Sequence, residues 1–158
     1  MLLICRILKK KIAILLPYKE NFSPTYAGAV SLFVKDTTQI SKFKKYITVF
    51  GNTDLKNIYK LKYKNIFLKK NLVQSGSAVY VNEFLKHEIE SPSNIIEIHN
   101  RPNYFHLIFK KLKNKKIVLY FHNDPLTMTG SRSLKDRKKL LENVTKIVFN
   151  SHWSKKRF

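Results

Sequence analysis

Short, mainly apolar runs alternate with longer stretches of helical periodicity along this chain. The runs Ile12–Leu16, Tyr46–Phe50, Ile95–His99, Ile117–His122 and Lys146–Asn150 are bounded by turn residues. That is the pattern of strands buried on both faces, which belong to parallel sheets covered by helices. Ile58–Leu68 interleaves Leu61, Tyr63 and Ile66-Phe67-Leu68 with lysines, and predicts a further strand at a sheet edge.

The intervening stretches predict helices. Ser23-Pro24 reads as a helix start, a capping hydroxyl followed by proline at the first helical position. Tyr26, Val30, Phe33 and Ile40 then share one face, with Ala29 and Leu32 beside them, and Gly28 falls in the first turn. After a loop at 74–76, Ser77–Glu88 carries Val81, Phe84, Leu85 and Ile89 at helical spacing, and Ser91-Pro92-Ser93 stops it. Pro102 starts a helix with Tyr104, Phe105, Ile108 and Leu112 inward. Leu126–Ser133 is a loop, Leu134–Glu142 a short helix, and Ser151 caps a last helix expected to expose Trp153 and Phe158.

The order β-α-β-β-α-β-α-β-α-β implies an α/β fold: a Rossmann-like, mostly parallel sheet with helices on both faces and right-handed crossovers. No repeat or internal linker divides it, so residues 11–158 read as one domain. Residues 1–10 read as a short apolar and basic leader. Its charges follow the apolar run, the reverse of a secretory signal, and the run is too short to span a bilayer. An unstructured tail and a tail that touches a membrane surface both fit it.

Charge sharpens the picture. The formal net charge is +21 over 158 residues, which suits an anionic partner. Lysine far outnumbers arginine and is spread over every segment, which codon usage in an AT-rich genome also explains. A specific nucleic-acid reader would favour arginine for its bidentate contacts. A dispersed positive charge still suits peripheral contact with anionic lipid. The one cysteine, Cys5, rules out a disulfide framework or a zinc cluster and fits a reducing cytoplasm.

Candidate chemistry gathers where strands end, the edge at which open α/β folds bind ligands. One strand ends in His99-Asn100-Arg101 and the next in His122-Asn123-Asp124. A histidine there can donate, accept or carry a proton. Arg101 can hold a phosphate or carboxylate as a fork, and Asp124 can accept a hydroxyl proton or orient His122. Gly28 lets a ligand phosphate approach a helix start. Each also has a structural reading: satisfied core groups for the histidines, turn chemistry for Asn100, Asn123 and Asp124-Pro125, close helix packing for Gly28. His87 and His106, inside helices, read as structural. His99 and His122 lack a third ligand for a metal. There is no dinucleotide fingerprint, P-loop or nucleophile elbow.

The segments I-I-E-I-H-N-R-P, K-I-V-L-Y-F-H-N-D-P and T-K-I-V-F-N-S-H-W-S-K-K-R-F together resemble the amino-terminal domain of a GT-B-fold glycosyltransferase. The similarity is to the retaining, glycogen-synthase-like family four and runs in order from about Lys11 to Phe158. It implies transfer of a hexose from a nucleotide-sugar to a glycan or lipid-linked acceptor, in surface polysaccharide or lipopolysaccharide synthesis. It implies Gly28 near the donor diphosphate, His122 near the donor sugar, with Asp124 beside it as a catalytic residue, and His99, Asn100, Arg101 and Asn123 on the acceptor side. The family's loop often has paired glycines, where this chain has Ala27-Gly28-Ala29. No metal or cofactor beyond the donor substrate is implied, no specific nucleic acid, and a cytoplasmic place at the inner face of the membrane. The family's second, donor-binding domain is missing from this sequence, so the expectation is a truncated frame or half of a split enzyme. The rival reading is a non-catalytic basic α/β module that binds nucleic acid or anionic membrane.

Overall fold

The computed structural model describes residues 11–68 and 75–158. The leader at 1–10 and the start of the expected loop at 74–76 lie outside the described residues.

Six strands form one sheet in the order β3-β2-β1-β4-β5-β6. They are β1 (Ile12–Leu15), β2 (Ile47–Gly51), β3 (Tyr63–Asn65), β4 (Ile95–His99), β5 (Lys116–Phe121) and β6 (Lys146–Phe149). Every pairing is parallel, so the sheet is more uniform than the pattern predicted. The helices are α1 (Ala29–Ile40), α2 (Gly76–Glu90), α3 (Pro102–Lys111), α4 (Leu134–Asn143) and α5 (His152–Arg157). Strand order reverses between β1 and β4, the switch point of a Rossmann-like sheet.

Strand alternation divides the core into two clusters. Ala13 and Leu15 of β1 join Ile96, Ile98, Ile117 and Leu119 under Tyr80 and Phe84 of α2 and Tyr104 and Phe105 of α3. Ile14 and Leu16 face the other way, onto Val30 and Val34 of α1 with Ile47 and Val49 of β2. These four rings are fully buried, and each contributes about 1.5–3 kcal/mol by leaving water. Tyr80 keeps its hydroxyl satisfied by donating to the carbonyls of Leu16 and Phe50, 3.1 and 3.3 Å away.

Two helices differ from the pattern. α1 begins at Ala29 with Gly28 as its N-cap, six residues after Ser23-Pro24, because Ser23 is spent on a local turn that accepts from the Thr25 amide. Its buried face is Val30, Ser31, Val34 and Thr38, while Tyr26, Leu32 and Ile40 are exposed. Apolar residues surround this helix, so periodicity alone did not select the face that meets β1 and β2. In α2, Ile89 is exposed and Glu88 is buried instead. The Glu88 carboxylate accepts from Ser93 N and Oγ and meets Lys115 Nζ at 3.3 Å.

The expected strand across 58–68 contracts to Tyr63–Asn65 at the sheet edge. At the far end Trp153 is exposed as expected, with the Arg157 guanidinium 5.5 Å from its ring centre. Phe158 instead packs on Phe121 and Phe149, at centroid distances of 5.5 and 5.4 Å.

Candidate functional site

The register of β4 on β5 pairs His99 with Tyr120. His122 lies two residues beyond Tyr120, hence on the same face. The three rings stack: His99 on Tyr120 with centroids 4.5 Å apart, and His99 on His122 at 5.3 Å. His99 Nδ1 and His122 Nε2 are 3.1 Å apart, a hydrogen bond. Behind them, Glu97 Oε2 faces His99 Nε2 at 3.6 Å. That gap is too long for a hydrogen bond and is an electrostatic contact, and His99 Nε2 has no closer partner.

This chain has a preferred proton arrangement. A carboxylate only accepts, so Glu97 favours the proton on His99 Nε2. His99 Nδ1 then offers its lone pair, and His122 Nε2–H donates to it. His122 Nδ1 is left as the basic nitrogen. Burial, and secondarily the proximity of His99, holds the His122 pKa down at about 4. Burial also lowers that of His99, against the pull of Glu97. Both rings are neutral at pH 7. Burial followed by the Glu97 charge pushes the Tyr120 hydroxyl up to about 12.

Neighbouring loops clamp the end of β5. Asn100 adopts φ 55°, a left-handed conformation that asparagine tolerates better than most residues. Its Oδ1 accepts from the His122 amide at 3.3 Å, and its own amide donates to the Tyr120 carbonyl. Just past β6, Asn150 Nδ2 donates to the His122 carbonyl at 2.8 Å. Phe33 of α1 lays its edge against the His122 ring, with centroids 4.9 Å apart and planes at 75°. α1 thus joins Gly28, its N-cap, to the histidines through a residue five positions on, about one and a half turns.

The remaining candidates fall into place unevenly. Arg101 is half-buried and donates to the Asn100 carbonyl at 2.8 Å. Asn123 is exposed. Asp124 does not orient His122 through any hydrogen bond seen among the described residues. It is held by Arg157, with 2.8 Å from Nη2 and 3.2 Å from Nε to Oδ2, and it caps the Leu126 amide. Arg157 keeps the Asp124 carboxyl below its ordinary range. At Gly28, the space a side chain would fill is taken by the Glu20 carboxylate, whose Oε1 accepts from the Ser31 amide in the first turn of α1. His106 Nε2 donates to the Gly130 carbonyl at 3.3 Å.

Glu97, Glu20 and Arg157 are functional candidates that sequence reasoning missed. Glu97 carried a signal, an acid interrupting the apolar run I-I-E-I-H. Glu20 and Arg157 carried none, since their partners are distant in sequence. Along the same sheet edge, Tyr18, Lys19, Asn21, Asn52, Asp54 and Phe67 line a cleft of about 490 Å³. Among the described residues, no three His, Cys, Asp or Glu side chains are grouped to hold a metal ion, and no helix is long and apolar enough to cross a membrane.

Compared with known proteins, the chain matches no family model and no curated protein. The functional reading therefore rests on the geometry of the strand ends.

Proposed function

We propose that this chain supplies the acceptor-side Rossmann-like half of a retaining, nucleotide-sugar-dependent hexosyltransferase. The observation that carries the reading is the Glu97–His99–His122 row at the carboxyl ends of β4 and β5, one strand from the switch point. It presents a neutral imidazole, backed by a second imidazole and a carboxylate, where an α/β sheet of this order receives ligands. His122 is the group to hydrogen-bond a sugar hydroxyl or take its proton. Arg101 and Asn123 stand on the acceptor side, and the cleft beside Tyr18 and Asp54 offers the amide, carboxylate and aromatic groups that sugar hydroxyls and faces use. Gly28 and the start of α1 lie towards the donor diphosphate, which would displace the Glu20 carboxylate from the Ser31 amide. The nucleotide belongs to a second domain, and the work is cytoplasmic, on surface-glycan precursors.

The test is nucleotide-sugar turnover by residues 1–158, alone and with a separately supplied donor-binding domain. Turnover only in the mixture, lost on His122→Ala, is the expected result. Full turnover by the chain alone would overturn the half-enzyme reading. An active mixture indifferent to His122→Ala would remove the histidine row from the mechanism.

A further inference from the structure

The opposite edge of the sheet carries a different chemistry. Every strand of a parallel sheet starts on one edge, and the helices that cross back over it end there. On this edge three shallow concavities run end to end. The first, about 580 Å³, is lined by Lys42, Lys44, Lys45, Lys60 and Lys62. The second, about 190 Å³, shares Lys62 and adds Lys11 and Lys64. The third, about 420 Å³, shares Ser93 with the second and adds Lys113, Lys115 and Lys116. Across strands β3 to β5, spaced by about 4.8 Å, this is a basic band roughly 20 Å long.

Carboxylates are few here: the exposed Glu90 and Glu142 stand at the ends of α2 and α4 on this edge, and among the described residues Glu88 is the one carboxylate that lines the three concavities. It is 3% exposed and tied inward to Ser93 and Lys115. Attraction to helix C-termini accounts for Lys110 and Lys111 in the last turn of α3. It does not account for Lys60 and Lys62, which precede β3, or for Lys116, which opens β5.

Exposed aliphatic residues flank the band. Ile40 ends α1 and is 86% exposed, while Ile89 near the end of α2 and Leu141 near the end of α4 are both 65% exposed. Since these helices end where the strands begin, their tips project from the same edge as the lysines.

We propose that this amino-terminal edge is a docking face for an anionic phospholipid surface. Lysine is a compact point charge suited to a diffuse negative field, and each one near such a surface adds about 1 kcal/mol. Aliphatic tips beside it enter the headgroup region. A nucleic-acid groove would instead be expected to carry arginine forks and aromatic stacking platforms. The described arginines lie elsewhere: Arg101 follows β4, Arg132 and Arg137 lie between β5 and β6, and Arg157 is paired to Asp124 on α5. The proposal is independent of the transferase reading and stands or falls without it.

The test is flotation of the full chain with vesicles of phosphatidylcholine alone or mixed with phosphatidylglycerol. Binding to the mixed vesicles only, weakened by salt, is expected. Replacing Lys42, Lys44, Lys45 and Lys60 together by Gln lowers partitioning by roughly fivefold per lysine, the equivalent of about 1 kcal/mol each. Replacing Lys56, Lys135, Lys155 and Lys156 by Gln, none of which lines the band, makes the same change in net charge and leaves partitioning unchanged. Ile40→Ser with Ile89→Ser weakens binding without altering its salt dependence. All these residues are exposed, and unchanged thermal melts verify folding. Equal losses in the two lysine sets would overturn the proposal, as would indifference to phosphatidylglycerol. Displacement from vesicles by a short single-stranded RNA that binds through the same lysines would reassign the face to nucleic acid.

Discussion

His99 Nδ1 meets His122 Nε2 at 3.1 Å across 23 residues of sequence. Adjacent parallel strands in this register place the two rings side by side, and Glu97 polarises the pair from behind. A hydrogen bond between two imidazoles needs one donor and one acceptor nitrogen, so both rings cannot be protonated while it lasts.

Stability should therefore fall in mild acid. The folded-state pKa of His122 is about 4, below the ordinary 6.5 of an unfolded histidine, and that of His99 is lowered too. The unfolded chain binds more protons between these values. The His122 contribution is intact above about pH 6.5 and lost progressively down to about pH 4, and that of His99 is lost in the same direction. For a partly solvated ring we expect about 1–2 kcal/mol less stability at pH 5 than at pH 7 from His122. Urea unfolding at the two pH values measures it, and the difference should shrink in His122→Gln. An identical pH dependence in the variant would place the titration elsewhere.

If this chain works as the transferase half proposed above, Glu97 acts through His99 as a positioning residue, and Glu97→Gln lowers kcat of the two-domain enzyme by part of the roughly 10²–10⁴-fold that a positioned proton carrier supplies, with KM little changed. The pH–rate profile should also shift, because an amide can donate to His99 Nε2 and reverse the proton order. A variant with an unmoved profile would make Glu97 a packing residue.

Gly28 and Glu20 should be energetically coupled. A Cβ at residue 28 would meet the Glu20 carboxylate and push it off the Ser31 amide. Gly28→Ala should cost about 1 kcal/mol, the scale of losing a helix cap, but much less in a Glu20→Ala background. A double-mutant cycle by denaturant unfolding measures the coupling, and additive effects would refute the contact.

Asp124 and Arg157 can be separated by function. Their ion pair lies at the surface, where such pairs contribute little to stability. Asp124→Asn and Arg157→Ala should both leave the melting temperature nearly unchanged. If Asp124 takes part in sugar transfer, its variant loses far more activity than Arg157→Ala. Equal, small losses in both would confine the pair to holding α5 against the loop after β5.

The sequence by itself determined the alternation of strands and helices, and therefore a parallel sheet. Uninterrupted apolar runs such as Ile117–Phe121 fit a strand covered on both faces and little else. It also determined that His99 and His122 stand at strand ends, because Asn100-Arg101-Pro102 and Asn123-Asp124-Pro125 stop those runs. Ser151, followed by helical sequence, marked a real cap; the Ser133 cap of α4, read from the sequence only as the end of a loop, emerged in the structure. What it could not decide was which groups meet. Local periodicity did not distinguish the face of α1 that buries Val30 and Val34 from the one that exposes Leu32 and Ile40, since both are apolar. Only strand order and register brought Glu97, His99 and His122 into one row, turned Asp124 towards Arg157, and filled the start of α1 with Glu20. Lysines spread evenly along the chain became a band for the same reason. A parallel sheet gathers the starts of all its strands on one edge, and no single segment carries that information.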